Sequence, residues 1–222
     1  MTANETIIQQ TAEHVRALLE GESSGHDWWH IARVWHMARR IAADEQVDSL
    51  VVELAALLRD RGDHKFHDGD ETIGPRLARE WLEQVGVPAD VTDHVVEIIR
   101  DLSFKGADVV TAMRTREGMV VQDADRLDAI GAIGVARAFA YGGSKGRALH
   151  DPDEAPQMHS SFEQYKNSKS STINHFYEKL LLLKDRFNTE AGRRIAGQRH
   201  QFMQEYLDQF LSEWDGDDGE SL

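Results

Sequence analysis

The apolar segment at residues 50–58, Leu-Val-Val-Glu-Leu-Ala-Ala-Leu-Leu, constrains the fold of this chain more than any other stretch. A helix over Leu50–Leu58 is apolar on almost every side, and a helix of that kind belongs at the centre of a fold. Asp48 or Ser49 can cap its first turn, because both side chains accept hydrogen bonds from backbone N–H groups. We therefore predict a buried central helix with the rest of the chain packed around it.

Apolar residues elsewhere recur at three- and four-residue intervals, which indicates helices, and no stretch shows the sustained alternation of a strand. The predicted fold class is therefore all-α. Beside the central helix, we predict one that ends at Gly21, one that starts near His26, one opened by Thr72 and Pro75, one after Pro88, and others at 117–140, 173–183 and 190–214.

The 222 residues are enough for one large domain with a substantial core. We predict a single helical domain over residues 1–222, with its core at about 26–140 and C-terminal helices at about 162–214 packed on that core. The last helices are too short to bury a core of their own. Residues 142–161 should form a long surface loop, and residues 215–222 a disordered tail.

Charge and composition limit the classes of partner. The chain carries 39 acidic and 25 basic residues, so a duplex nucleic-acid footprint of clustered bases is not expected. A small anionic substrate is compatible, since a bound dication reverses the field inside a cleft. The sequence has no cysteine, no secretory apolar core and no apolar run near the roughly 20 residues that span a bilayer. We expect a cytoplasmic protein that does not enter a membrane.

Metal-competent side chains gather first around His30. On a helix, His26, His30 and Arg33 share one face, which would aim imidazole and guanidinium groups at one cleft. The alternative is that these histidines are simply exposed at a helix start. Asp60 ends the very apolar central helix, where a carboxylate is expected to be paired or bound to a cation.

A further acidic cluster lies within the predicted helix at 117–140. Asp125 and Asp128 share one face of that helix, and Asp123 points elsewhere. Acids in an apolar helix need a cation, so either a metal or an internal salt bridge to Arg126 or Arg137 is expected.

Several basic groups are available to a phosphate. The glycine-rich stretch Tyr141–Arg147 is either a flexible substrate clamp or a solvated turn, and it lacks the spacing of a P-loop. The basic residues are Arg33, Lys65, Lys105, Lys145 and Arg147.

Taken together, these motifs resemble the HD-domain phosphohydrolase superfamily, and within it a bacterial single-domain subfamily. The order His30, Asp60, Asp125 on successive helical segments is similar to the family pattern His…His-Asp…Asp. The resemblance extends from about His26 to Trp214. Family-like segments are His26-Asp27-x-x-His30-x-x-Arg33-Val34, residues 65–71 (Lys-Phe-His-Asp-Gly-Asp-Glu), residues 120–134 (Val-Val-Gln-Asp-Ala-Asp-Arg-Leu-Asp-Ala-Ile-Gly-Ala-Ile-Gly) and residues 175–185 (His-Phe-Tyr-Glu-Lys-Leu-Leu-Leu-Leu-Lys-Asp).

The resemblance implies an HD-type helical bundle that hydrolyses phosphate esters, with nucleotides among the substrates. It implies metal ligands at His30, Asp60 and Asp125, and an acid at Asp63 that orients or activates water. A dication lowers the pKa of its water and neutralises phosphate oxygens, and Mn²⁺, Mg²⁺ and Fe²⁺ all accept such ligands. The predicted substrate-binding residues are His26, Arg33, Lys65, Lys145 and Arg147.

The chain departs from the family pattern at Arg59, which stands where the motif histidine is expected. Arginine stays protonated and offers no lone pair to a metal. Three interpretations are open: a damaged metal site in an intact fold, replacement of the missing ligand by His64 or His67, or lost catalysis with Arg59 itself gripping phosphate. We expect little tightly bound metal and a fold nearly indifferent to residue 59, whose side chain can reach the open cleft.

The sequence thus predicts a metal-dependent phosphohydrolase acting on a nucleotide or similar small phosphate ester, impaired by Arg59. The competing prediction is a non-catalytic protein that retains the fold and binds a nucleotide or phosphate.

Overall fold

The computed structural model describes residues 2–19, 27–60, 72–102, 113–157 and 170–217. Every regular element in these ranges is helical and none of their residues lies in a strand, which confirms the predicted all-α fold class. The elements are α1 (Ala3–Leu18), α2 (Trp28–Ala42), α3 (Ser49–Leu58), α4 (Ile73–Gln84), α5 (Ala89–Leu102), α6 (Arg116–Asp128), α7 (Gly131–Ser144), α8 (Thr172–His175), a π-helical segment (Phe176–Leu180), a 3-10 segment (Leu181–Arg186) and α9 (Glu190–Asp215).

The chain divides into two compact units, Met1–Asp125 and Arg126–Leu222. The first unit contains α1 to α5 and most of α6, and the second contains the elements that follow. A single domain over the whole chain stays a prediction. Among the described residues, no helix has both the length and the apolar character needed to cross a bilayer.

Helix α3 is the centre of the first unit. Val51, Val52 and every residue of 54–58 are at most 2% exposed, and α3 packs against α1, α2 and α5. The Asp48 carboxylate caps it by accepting hydrogen bonds from the backbone N–H groups of Leu50 (2.9 Å) and Val51 (3.4 Å). The prediction of a buried central helix is confirmed.

The prediction of one long helix at 117–140 is wrong, because the chain breaks between α6 and α7. Ile130 is extended, and Gly131 has a φ of 74°, a backbone conformation that favours glycine. A Cβ added at Gly131 would lie 2.9 Å from the Arg199 side chain, and one at Gly134 would lie 2.3 Å from the Ala129 carbonyl oxygen. These glycines therefore lie where α6 has ended and α7 begins, at positions where a larger residue would not fit.

The predicted surface loop at 142–161 begins later than expected. Gly142 and Gly143 belong to α7, and the helix ends when Gly146 adopts a φ of 67°. The Arg147 N–H then donates to the Gly142 carbonyl oxygen at 2.9 Å, the hydrogen bond of a Schellman helix end. Tyr141–Arg147 is therefore a structured helix terminus and not a flexible glycine-rich loop.

An aromatic cluster in the second unit is centred on Phe139. Phe139 of α7 lies with its ring centroid 6.0 Å from that of Phe176, 6.1 Å from that of Tyr206 and 6.1 Å from that of Phe210. The predicted helix at 173–183 is present as α8 with the π-helical and 3-10 segments that follow it. Helix α9 ends one residue beyond the predicted 190–214.

Candidate functional site

The beginning of α2 fixes the position of His30. The Asp27 carboxylate caps this helix and accepts a hydrogen bond from the His30 backbone N–H at 2.9 Å. His30 therefore lies in the first turn, with its side chain only 3% exposed. His26, the predicted partner on the same face, lies outside the described residues.

Three predicted ligands converge in the first unit. The His30 Nε2 atom lies 3.5 Å from an Asp60 carboxylate oxygen and 3.8 Å from an Asp125 carboxylate oxygen. Asp60 lies two residues after the end of α3, and Asp125 lies on α6, so separate elements supply the three side chains. The predicted convergence is confirmed, and the metal-binding role of these residues stays a prediction.

The guanidinium of Arg59 lies among these three side chains. Its Nη2 atom donates to an Asp60 oxygen at 3.0 Å and contacts His30 Nε2, and its Nη1 atom lies 2.5 Å from an Asp125 oxygen. The side chain is only 5% exposed. The expectation that Arg59 reaches an open cleft is therefore wrong, because the carboxylates on either side draw its charge inward.

The contact with Arg59 engages the Nε2 atom of His30. A guanidinium has five N–H donors and no acceptor. Since Arg59 can only donate, the Nε2 atom of His30 is the acceptor in this contact. The lone pair of His30 that a metal would use is thus directed at a cation already.

This arrangement does not fit a divalent metal. The guanidinium occupies the space between the three candidate ligands, and it cannot itself ligate a metal. Within the described ranges, no group of His, Asp and Glu side chains is arranged to hold an ion. His64 and His67, the candidates for a replacement ligand, and Asp63, the predicted water-activating acid, lie outside those ranges.

The geometry also weighs against Arg59 as a phosphate-binding group. Both of its terminal nitrogens are engaged by carboxylates. Two carboxylates face this single guanidinium, so a phosphate would have to be attracted by other basic groups.

The other predicted substrate-binding residues are dispersed. Arg33 is half-buried on α2, three residues after His30, and Lys65 lies outside the described residues. In the second unit, the Lys145 ammonium and the Arg147 guanidinium each lie 5.7 Å from the centre of the Tyr141 ring. A substrate-binding role for these residues stays a prediction.

The acids that flank Asp125 differ from it in environment. Asp123 is fully buried, and Asp128 is 4% exposed and forms an ion pair with Arg137 at 2.6 Å. For Asp128, the internal salt bridge to Arg137 predicted as the alternative to metal binding is therefore confirmed. Asp125 is 42% exposed and pairs with Arg59.

The sequence patterns assign no role to His175, although it begins the family-like segment at residues 175–185. Burial, followed by the charges of Lys179 and Arg147, lowers the pKa of His175 from 6.5 to about 4. The folded protein thus resists protonation of this ring. The signal in sequence is the presence of Lys179 one helical turn after His175.

The lowered pKa predicts a pH-dependent stability. Between pH 6.5 and about 4 the unfolded chain binds a proton at His175 that the folded chain does not. Stability should therefore fall as the pH drops through this window, by on the order of 3 kcal/mol, and show no further loss from this group below it. Urea unfolding across pH 4–7 should give a flatter profile for His175→Gln, and the exposed His36→Gln should retain the parent's slope. Equal slopes for parent and His175→Gln would contradict the prediction.

Comparison with known proteins places the chain in a family. The model of the HD domain matches residues 28–130, which include His30, Asp60 and Asp125. The uncharacterized protein YpgQ of Bacillus subtilis (strain 168) is 37% identical over 216 residues, 96% of this chain and 96% of that protein.

Solved structures give the same result. The crystal structure of an HD-superfamily hydrolase from Bacillus thuringiensis superposes with a TM-score of 0.77 at 40% identity, covering 96% of this chain and 99% of that chain. The crystal structure of B. subtilis YpgQ in complex with ADP superposes with a TM-score of 0.76 at 35% identity, covering 98% of this chain and 100% of that chain. The resemblance drawn from the sequence motifs is confirmed.

Proposed function

This chain belongs to the HD-domain phosphohydrolase superfamily, and from that premise we propose that it carries the site of a metal-dependent phosphohydrolase in which Arg59 holds hydrolysis low. The proposed substrate is a nucleotide or a similar small phosphate ester. The adjacency of His30, Asp60 and Asp125 carries the proposal: carboxylate oxygens of Asp60 and Asp125 lie 3.5 Å and 3.8 Å from His30 Nε2.

The low activity follows from what the guanidinium cannot do. Hydrolysis of a phosphate ester needs a group that lowers the pKa of the attacking water and neutralises phosphate oxygens, which a dication supplies in this family. The guanidinium of Arg59 is paired with Asp60 and Asp125. It therefore does not lower the pKa of a water molecule and does not neutralise the oxygens of a bound phosphate. Asp63, which we propose positions or activates water, would then have no partner for that task.

The nucleotide proposal has support from a relative. YpgQ of B. subtilis was crystallised in complex with ADP. We propose that this chain also takes a nucleotide, with Arg33 among the groups that contact phosphate, since it follows His30 by three residues on α2.

The competing function is nucleotide binding without catalysis. Arg59 favours it, because an internal ion pair occupies the site at which an enzyme of this family would need an open metal position. If the chain is an impaired hydrolase, Arg59→His should restore phosphate release. If the chain only binds a nucleotide, the same substitution should not.

A nucleotide panel tests the proposal. With Mn²⁺, Mg²⁺ or Fe²⁺, the chain should release phosphate at close to the rate without protein, yet titration calorimetry should detect ADP binding. Arg33→Ala should weaken that binding about tenfold or more, since a hydrogen bond to a charged group contributes roughly 1.5–3 kcal/mol. Arg40→Ala, an exposed arginine on the same helix, is the matched control.

Each outcome bears on one part of the proposal. Rapid phosphate release by the unaltered chain would contradict the block by Arg59. An absence of ADP binding in both the chain and its Arg59→His variant would contradict the nucleotide assignment. Binding without turnover in both would favour the non-catalytic function.

A further inference from the structure

The buried position of Arg59 is not what the simple loss of a metal ligand would produce. A lost ligand alone would leave His30, Asp60 and Asp125 facing each other without compensation. Instead the guanidinium fills the space between them with its side chain 5% exposed. A buried charge is costly unless it is paired and hydrogen-bonded, so the burial of Arg59 depends on the contacts that its guanidinium makes.

The two terminal nitrogens of the guanidinium contact all three side chains. The Nη2 atom contacts both Asp60, at 3.0 Å, and His30, and the Nη1 atom lies 2.5 Å from Asp125. The fork therefore connects the first turn of α2, the end of α3 and α6. A lysine could not make these contacts together, because its single ammonium is a point charge and lacks a planar fork.

We infer that Arg59 is a covalently attached replacement for the divalent cation, and that it makes the fold of the first unit independent of metal. It supplies from within the chain the positive charge that joins His30, Asp60 and Asp125. The inference concerns folding, so it holds whether or not the proposed hydrolase function is correct. It also replaces the expectation that the fold is indifferent to residue 59.

Two consequences separate this inference from simple damage. Chelators and dications should leave the stability of the unaltered chain unchanged, because its site already contains a cation. Loss of the guanidinium should destabilise the chain, because two carboxylates then lie together uncompensated. An added dication should reverse that loss, since the vacated space is bordered by His30, Asp60 and Asp125.

Thermal unfolding of three variants tests both consequences. In EDTA, Arg59→Met should lower Tm by on the order of 10 °C, and Mn²⁺ should recover at least half of the loss. Arg59→Lys keeps the charge without the fork, so its Tm should be intermediate and unresponsive to Mn²⁺. Arg40→Met, an exposed arginine near the end of α2, should match the unaltered chain in EDTA and in Mn²⁺.

Three results would overturn the inference. The first is an Arg59→Met Tm in EDTA equal to that of the unaltered chain. The second is a Mn²⁺-dependent rise in the Tm of the unaltered chain as large as that of Arg59→Met. The third applies if Arg59→Met does not fold in EDTA. The variant is then refolded with and without Mn²⁺, and equal failure under both conditions would contradict the replacement of a cation by Arg59.

Discussion

Replacing Arg59 with histidine is expected to give a protein that retains about one dication per chain through purification and releases phosphate from a nucleotide. The unaltered chain should do neither. The substitution removes the guanidinium from among His30, Asp60 and Asp125, and it supplies an imidazole lone pair where the guanidinium had none. It converts a filled site into one with four candidate ligands.

Electrostatic repulsion determines how much the Arg59→His substitution should increase metal affinity. A unit positive charge at ~4 Å from a dication repels it by several kcal/mol at an effective dielectric near 20. Relief of about 4 kcal/mol of that repulsion alone corresponds to a roughly thousandfold increase in metal affinity. The new ligand adds to it, so we expect the metal dissociation constant to fall by at least three orders of magnitude.

Metal analysis, calorimetry and phosphate release measure this change. Arg40→His provides the matched control, because it adds the same imidazole at an exposed position of α2 and should leave metal content unaltered. Stoichiometric metal and full activity in the unaltered chain would contradict the prediction and indicate His64 or His67 as a replacement ligand.

The sequence could predict those parts of the fold that depend on local pattern. The apolar run at 50–58 determined a buried α3, and Asp48 determined where that helix begins, because both effects act within one or two turns. The adjacency of His30, Asp60 and Asp125 has no local signature. It was predictable only through the resemblance to a family in which these positions share a metal.

The errors arose where tertiary contacts decide the structure. The break before Gly131 depends on a backbone φ of 74° and on the nearby side chain of Arg199, which is far away in sequence. The burial of Arg59 depends on carboxylates at positions 60 and 125 that draw the guanidinium inward. A long side chain at the end of a helix can point either way, and helical periodicity does not distinguish the two directions.

Asp125 and Asp128 should separate metal binding from stability in the Arg59→His background. The two residues lie three apart on α6, but Asp125 is 42% exposed beside His30, whereas Asp128 is 4% exposed and paired with Arg137. Asp125→Asn should weaken dication binding by about a hundredfold or more and abolish phosphate release, because it removes a charged candidate ligand. Without metal it should not lower stability, because it removes one of the two carboxylates that lack the guanidinium.

Asp128→Asn should show the opposite pattern, since it breaks an ion pair whose carboxylate is buried and leaves Arg137 without that carboxylate. A loss on the order of 3 kcal/mol is expected in urea unfolding, with unchanged metal affinity per folded molecule. Asp123 lies close to Asp125 in sequence but is not a suitable control for it. Asp123 is fully buried, so its replacement would disturb packing. Equal losses of metal affinity from Asp125→Asn and Asp128→Asn would show that Asp125 acts through the fold of α6 and does not contact the metal.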